Sequence, residues 1–197
     1  MNPQTKALSY LGDHTWDEVT REERVFCAEL WFNFRDDPTA LVQWLQDRIG
    51  LSLTDDELRA TWSLGFETCF YRDARKAFGK GIKGSGYPQK RTFDLCLFSE
   101  RTVVIIEAKA FESYTGRQNL VFGSDENHIK RLAKELGSKF EPKVILISLS
   151  KRKPSKNDPF FAHVTWEQLL SLRNRLSPRL ISMIERLYRP VDQQRIK

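Results

Sequence analysis

Nineteen residues in the middle of the chain, TFDLCLFSERTVVIIEAKA from Thr92 to Ala110, constrain its fold most strongly. Two segments rich in β-branched and aromatic residues flank the turn-forming sequence Ser99-Glu100-Arg101, a pattern typical of a β-hairpin. The run Val103–Ile106 is apolar at every position, which indicates a strand that is covered on both faces. The hairpin therefore contains a central strand of a sheet.

Three ionisable side chains stand near the ends of these two apolar segments: Asp94, Glu107 and Lys109. Twelve residues separate Asp94 from Glu107. Because side chains alternate along a strand, Glu107 and Lys109 point to the same side, and Asp94 can lie beside them on the neighbouring strand. Charges at the end of a covered strand are unfavourable unless they pair or bind a metal. We therefore expect the three side chains to converge on one solvent-reachable cleft.

This arrangement resembles the PD-(D/E)XK nuclease superfamily, which includes many restriction endonucleases and the archaeal Holliday-junction resolvases. In that family an acid on one strand is followed by a short turn and by acid-x-Lys after an apolar run. Asp94, Glu107 and Lys109 match this form, and Phe93 stands where the family usually has proline. The resemblance implies an α/β restriction-endonuclease-like fold, with a central mixed sheet of about four to five strands flanked by helices and extra N- and C-terminal helices.

The order of predicted elements agrees with the family core, which runs helix, strand, strand, strand, helix, strand. The predicted core elements are a helix over Thr20–Phe34, strands over Gly65–Tyr71, Thr92–Phe98 and Thr102–Ala108, a helix over Asp125–Leu136 and a strand over Lys143–Leu149. Two further short helices are predicted over Asp36–Leu51 and Thr54–Ala60. We expect one domain over residues 1–197, with its core in residues 18–150.

Residues 151–197 are expected to form a basic helical extension that packs on this core. An edge strand is predicted over Phe160–Val164, followed by a helix with Thr165 as its N-cap. Ser177-Pro178 opens a last helix, which runs through Arg189 and carries an apolar stripe. An apolar stripe usually packs in a core; if exposed, it could instead make the chain a homodimer.

The resemblance also implies the chemistry, which is hydrolysis of DNA phosphodiester bonds with Mg²⁺ or Mn²⁺. Asp94 and Glu107 would be the metal ligands, since carboxylates are hard oxygen ligands that suit these ions. The main-chain carbonyl of Ala108 would complete the coordination, as it often does in that family. Lys109 would orient or activate water and stabilise the developing charge.

Many family members carry a further acid on the first helix, and two residues compete for that role here. Glu23 is the first candidate, because apolar residues follow it three, four and seven positions on, as in the resolvase helix. Glu29 is the alternative; the competing roles are a capping box for Glu23 and a solvated Glu29. Gln118, nine residues after Lys109, stands where several family branches place a polar site residue. Its alternative role is a hydrogen bond within a loop.

The net charge of +6 is distributed unevenly along the chain. Residues 1–71 carry 6 basic and 13 acidic side chains, whereas residues 72–93 carry 7 basic and 1 acidic. This second segment is a glycine-rich basic loop that leads directly into the strand with Asp94, so we expect it to contact a phosphodiester backbone. The candidate contacts are Arg72, Lys80, Lys83, Lys90 and Arg91. The alternative is a solvated, flexible connector.

Composition excludes several other classes of protein. An apolar content of 40% and a charged content of 29% describe an ordinary soluble chain. No run approaches the roughly 18 apolar residues of a membrane span, and the N-terminus has no apolar signal core. The three cysteines Cys27, Cys69 and Cys96 form neither a disulfide framework nor a zinc motif, which suits a reducing cytoplasm. The segment GKGIKGSG lacks the ending of a phosphate-binding P-loop, so no nucleotide cofactor is expected.

Two alternatives to a nuclease stay open at this point. One is a nucleic-acid-binding module of the same fold that has lost useful catalysis. The other is a structural or partner-binding α/β protein in which Lys109 merely pairs with Glu107. The intact acid–acid–lysine set favours the enzyme, with DNA as its partner. The form of the substrate and the number of metal ions are not specified by the sequence.

Overall fold

A computed structural model describes residues 23–111, 113–156 and 158–189. Its strands form a mixed sheet in the order β1-β2-β3-β4-β5. These strands are β1 (Ser63–Thr68), β2 (Phe93–Phe98), β3 (Thr102–Lys109), β4 (Lys143–Ser150) and β5 (Ala162–Val164). The first three pair antiparallel, and β4 and β5 continue the sheet in parallel with β3.

Helices cover this sheet on both faces. The described α-helices are α1 (Glu23–Phe34), α2 (Pro38–Ile49), α3 (Asp55–Leu58), α4 (Phe70–Ala77), α5 (Gly116–Glu135) and α6 (Pro178–Tyr188), and a 3-10 helix over Glu167–Arg175 precedes α6. The prediction of an α/β protein with a mixed sheet flanked by helices is confirmed. Within the described ranges, no helix has the length and apolar character needed to cross a bilayer.

The central strand β3 is buried at every position. Its alternating side chains enter two separate hydrophobic clusters. Val104 and Ile106 pack in a cluster with residues of α1, α2 and α6. Val103 and Ile105 pack in a second cluster with residues of α4 and α5. Because β3 is covered on both faces, its sequence contains a continuous apolar run, and the hairpin could be recognised from that run.

The first strand is shorter than predicted, and the prediction of a strand through Tyr71 is wrong. β1 ends at Thr68 after Glu67, whose φ of 49° leaves the extended region. The next residues form α4, with Tyr71 and Ala74 at helical spacing against the second cluster. Aromatic residues are typical of strands, but here the packed positions Tyr71 and Ala74 are spaced as in a helix.

Helix α5 begins at Gly116, nine residues before the predicted Asp125. Thr115 starts it with a capping box: its hydroxyl accepts from the Gln118 N–H, and the Gln118 side chain accepts from the Thr115 N–H at 3.0 Å. Gln118 is therefore a helix-capping residue rather than part of a loop. Gly123 and Ser124, just before the predicted start, have weak helix propensity, which hid this part of the helix.

The basic segment between α4 and β2 is anchored rather than a free connector. Tyr87 is buried and stacks on Tyr71 with ring centroids 5.6 Å apart. The guanidinium groups of Arg75 and Arg131 lie 5.5 Å and 4.1 Å from the Tyr87 ring centroid. Arg131 also donates a hydrogen bond to the Gly86 carbonyl at 3.0 Å. These contacts tie the segment to α4 and α5, and its contact with a phosphodiester backbone stays a prediction.

The C-terminal part packs on the first cluster. Leu180, Ile184 and Leu187 of α6 are buried there, so this stripe is not free to form a dimer. Ser177 caps α6 as predicted, accepting from the Leu180 N–H at 3.1 Å. The segment after Thr165 is a 3-10 helix rather than an α-helix. The predicted start of the first helix, residue 20, lies outside the described residues.

Candidate active site

A cleft with a volume of about 440 Å³ opens at the end of β3, between α1 and the start of α5. Its lining residues are Glu23, Arg91, Thr92, Asp94, Glu107, Lys109, Ser113, Thr115, Gln118, Val121 and Phe122. The structure thus brings together the four predicted catalytic residues Glu23, Asp94, Glu107 and Lys109. Glu23 of α1 and Lys109 of β3, which are 86 positions apart in the sequence, meet here.

The register of the hairpin places Asp94 beside Glu107. Leu95 pairs with Ile106 at the last paired position of β2 and β3. Continuing this antiparallel register puts Asp94 opposite Glu107, and directly opposite residues share a face of the sheet. Beyond Leu95, the Asp94 side chain takes the place of a main-chain acceptor on β2. Its Oδ2 accepts a hydrogen bond from the Ala108 N–H at 2.8 Å. Asp94 is thereby fixed against β3.

Lys109 is held at the mouth of the same cleft. Only 7% of its surface is exposed, and its Nζ lies 2.6 Å from Oε1 of Glu23 on α1. Its main-chain carbonyl accepts from Trp166 Nε1 at 3.1 Å, which ties the end of β3 to the core. Among the described residues, the ion pair that Lys109 forms is with Glu23 and not with Glu107.

Arg91 is part of the cleft floor and does not belong to an exposed basic surface. Its side chain is 8% exposed, and its Nη2 donates to Glu107 Oε1 at 2.6 Å and to Asp125 Oδ2 at 2.7 Å. Tyr71 donates its hydroxyl hydrogen to Asp125 Oδ1 at 2.6 Å. Buried carboxylates occupy its guanidinium, and contact between Arg91 and nucleic acid stays a prediction. Asp125 and Tyr71 were not among the predicted site residues, because their positions carry no local spacing signal.

Burial raises the pKa values of both predicted metal ligands. It raises the pKa of Asp94 to about 6; a main-chain N–H opposes that rise and the Glu23 charge adds to it. Burial also raises the pKa of Glu107 to about 8, with the Arg91 guanidinium opposing and the Asp94 charge adding. Burial acts to lower the pKa of Lys109, but the hydrogen bond and charge of Glu23 outweigh it and raise that pKa. Lys109 is therefore a cation at neutral pH.

The donor set of the cleft fits Mg²⁺ or Mn²⁺. The cleft and its floor hold the four carboxyl groups of Glu23, Asp94, Glu107 and Asp125. They also hold the two basic groups of Arg91 and Lys109. The raised pKa values show that these two cations only partly offset the cost of burying the Asp94 and Glu107 charges. Within the described part of the chain, no group of three or more His, Cys, Asp or Glu is arranged to hold a metal. The proposed set is smaller: Asp94, Glu107 and the Ala108 carbonyl. Mg²⁺ commonly binds proteins through one or two carboxylates and keeps several waters.

The two competing acids of α1 have different surroundings. Glu29 lies outside the cleft lining, where Arg179 Nη1 donates to its Oε1 at 2.9 Å and the Ser177 hydroxyl donates to its Oε2 at 3.0 Å. It therefore joins α1 to the start of α6. Glu23 faces the cleft, and so does Gln118, which caps α5 there.

The remaining predicted nucleic-acid contacts lie outside the cleft lining. Lys83 and Lys90 are exposed. Lys80 is exposed too, and its ammonium donates to the main-chain carbonyl of Glu135 at 3.1 Å. Arg72 is on α4 and pairs with its neighbour Asp73 at 2.9 Å. Contact between these side chains and a nucleic acid stays a prediction.

Titration of Asp94 and Glu107 is expected to lower the stability of the metal-free protein as pH rises from about 4 to about 8. Asp94 and Glu107 bind protons more tightly in the folded than in the unfolded state, so their stabilisation is full below the unfolded pKa values. It is lost as pH rises through the folded values of about 6 and about 8. Each group contributes on the order of 1.4 kcal/mol per pH unit between its two pKa values. Denaturant unfolding in a metal chelator measures this slope.

The matched variants divide that slope between its two sources. Asp94→Asn should flatten its lower part and Glu107→Gln its upper part. The same dependence of the free energy of unfolding on pH in the wild type and in both variants would contradict the assignment.

Comparisons with protein-family models and with curated proteins give no match for this chain. Among solved structures, the chain is similar to the small subunit of the heterodimeric restriction endonuclease R.BspD6I. The identity is 14% over 88% of this chain and 93% of that chain, with a TM-score of 0.28. A likeness at this level establishes neither a shared fold nor a shared activity.

Proposed function

We propose that this protein is a metal-dependent nuclease of the PD-(D/E)XK type that hydrolyses DNA phosphodiester bonds. The observation that carries the proposal is the convergence of Asp94, Glu107 and Lys109, with Glu23, on one open cleft. The order of the sheet, three antiparallel strands continued by parallel strands, is the frame that brings them together.

Asp94 and Glu107 would hold Mg²⁺, with the Ala108 carbonyl as a third oxygen donor. When bound, such an ion supplies positive charge that favours deprotonation of water and stabilises negative charge on a phosphate. The same charge would relieve the unfavourable burial of the two acids, whose pKa values are raised to about 6 and about 8. Binding of the ion and ionisation of the ligands therefore support each other.

Lys109 acts as a positioned cation in this proposal. Its ammonium is protonated and all its hydrogen atoms are donors, so it orients water and donates to the oxygens on which charge develops. Glu23 accepts one of these hydrogen bonds at 2.6 Å and restricts where the ammonium lies. Together the two side chains give the mouth of the cleft a fixed positive donor.

Neutralising the basic segment is expected to weaken DNA binding without changing its dependence on sequence. The variant carries Lys80→Gln, Lys83→Gln and Lys90→Gln, which remove exposed charges from the segment that leads into β2. Each lost phosphate contact lowers the slope of log affinity against log salt by about 0.9 for duplex DNA. Titrations at several salt concentrations measure this slope.

A second triple variant separates the location of the charge from its amount. Arg48→Gln, Arg59→Gln and Lys139→Gln also remove three exposed positive charges, but outside the basic segment. This control should bind nearly as the wild type does. Equal losses in the two triple variants would assign the effect to net charge and leave the segment without a specific role.

A cleavage panel tests the proposed function. Duplex, nicked, branched and single-stranded DNA, with RNA as a control, are incubated with the protein in Mg²⁺, in Mn²⁺ and in chelator. We expect cleavage of at least one DNA form that requires the divalent ion. Tight DNA binding with no cleavage of any substrate would instead favour a binding module, and neither binding nor cleavage would favour a structural or partner-binding protein.

A further inference from the structure

Arg91 is held in the cleft floor by contacts that do not involve Glu107. Its Nε and Nη2 both donate to Asp125 Oδ2, at 3.0 Å and 2.7 Å, and its Nη1 donates to the Thr92 carbonyl at 2.8 Å. Its guanidinium carbon also lies 4.7 Å and 4.9 Å from the ring centroids of Phe93 and Phe122. The planar group is thus fixed in position and in rotation.

The anchor of Arg91 is itself buried and held. Asp125 is 1% exposed, and its second carboxylate oxygen accepts from the Tyr71 hydroxyl at 2.6 Å. Tyr71 is fully buried in the second cluster. This chain of contacts runs from α4 through α5 to the cleft, and it ends where Arg91 Nη2 donates to Glu107 Oε1 at 2.6 Å.

We propose that Arg91 is a positioning residue that holds one carboxylate oxygen of Glu107 and leaves the other for the metal ion. This inference rests on the proposed function, because it assigns Glu107 as a metal ligand. Contacts outside the direct ligand set orient ligands in protein metal sites and strengthen binding. An arginine suits this task because its fork of donors can engage Asp125 and Glu107 at the same time.

A competing role for Arg91 predicts the opposite result. If Arg91 were a cation that the metal must displace, removing it would strengthen metal binding by relieving charge repulsion. The contacts of Arg91 with Asp125, Thr92 and the two rings favour positioning, since they keep the guanidinium in place whatever Glu107 binds. The sign of the change in metal affinity therefore separates the two roles.

The test measures Mn²⁺ affinity by calorimetry and by the electron paramagnetic resonance signal of free Mn²⁺. It uses the full chain at a temperature below the melting transition of every variant. Arg91→Gln should bind Mn²⁺ about 10- to 100-fold more weakly than wild type. Arg91→Lys should recover part of this loss, because an ammonium can reach one of the two carboxylates but not hold both in a fixed plane.

Two further variants keep the test valid if Arg91→Gln fails to fold. Asp125→Asn retains the Arg91 charge but weakens its anchor, so it should lower Mn²⁺ affinity by less than Arg91→Gln does. Arg59→Gln removes an exposed arginine outside the cleft and should leave the affinity unchanged. A merely structural role for Arg91 would lower melting temperatures without changing the affinity of the folded variants.

Failure of this inference and failure of the proposed function give different results. The positioning role is overturned if Arg91→Gln binds Mn²⁺ as tightly as the wild type or more tightly. It is also overturned if Arg91→Lys and Asp125→Asn both do so. If Asp94→Asn still abolishes binding in that case, the proposed metal site survives. A wild-type protein that binds no Mn²⁺ overturns both.

Discussion

Replacing Lys109 with methionine is expected to lower the rate of DNA cleavage by about 100- to 1,000-fold, the usual effect of removing one donor to a developing charge. Methionine keeps the apolar stem of the side chain in its buried place but removes the ammonium. The fold should persist, since the ion pair that is lost joins Lys109 to Glu23, whose side chain is 27% exposed. Single-turnover cleavage with saturating enzyme measures the chemical step separately from binding.

Lys139→Met is the matched control, because Lys139 is an exposed lysine outside the cleft lining. It should cleave at the wild-type rate. Lys109→Met should also keep much of its DNA affinity, because one cation among many contributes little to binding of the backbone. Full activity in Lys109→Met would place the chemistry elsewhere in the protein.

Asp94→Asn is expected to abolish both metal-dependent cleavage and the stabilisation of the protein by metal. At a metal concentration of about 100 times the dissociation constant, binding stabilises the wild type by about 2.7 kcal/mol. For a domain of this size that corresponds to a melting temperature about 5–10 °C higher. Asparagine retains an oxygen that can accept the Ala108 N–H, so the variant loses the charge and keeps the local hydrogen bond.

Without metal, Asp94→Asn should melt at or above the temperature of the wild type at neutral pH. The substitution removes a buried charge whose pKa is raised to about 6, and it relieves repulsion with Glu23. Asp73→Asn serves as the control, because Asp73 is an exposed acid outside the cleft lining. A metal-induced shift in Asp94→Asn as large as in the wild type would remove Asp94 from the metal site.

The parts of the fold that follow from local pattern could be predicted from the sequence. The hairpin of β2 and β3 was recognisable because its apolar run is continuous, and β4 because it is a short apolar run after Pro142. Helix α4 was missed because Phe70 and Tyr71 fit a strand by composition. Only the packing of Tyr71 and Ala74 against the second cluster shows the helical spacing. The start of α5 was missed because its apolar residues Leu120, Val121 and Phe122 are consecutive rather than at helical spacing, and Gly123 follows them.

The residues of the candidate site also fall into two groups, those that the local sequence predicts and those that only the tertiary fold brings together. Asp94, Glu107 and Lys109 belong to one hairpin, so their convergence follows from strand alternation and register. The position of Glu23 relative to Glu29 depends on how α1 packs, which no periodicity of α1 alone could decide. The network beneath Glu107 joins Arg91 to a partner 34 residues away and that partner to a tyrosine 54 residues away. Such contacts arise only from the tertiary fold.

The most direct test of the proposed nuclease compares the initial rate of DNA cleavage of the wild type and of Glu107→Gln as Mg²⁺ is increased from zero in the presence of chelator. Glutamine keeps the shape of Glu107 and can still accept the Arg91 hydrogen bond, so a change in rate reports the loss of the carboxylate charge. We predict a saturable rise from zero for the wild type and no cleavage above background for Glu107→Gln at any Mg²⁺ concentration. Cleavage by the wild type in chelator alone, or a Glu107→Gln curve that overlays the wild type, would contradict the assignment of this cleft as a metal-dependent nuclease site.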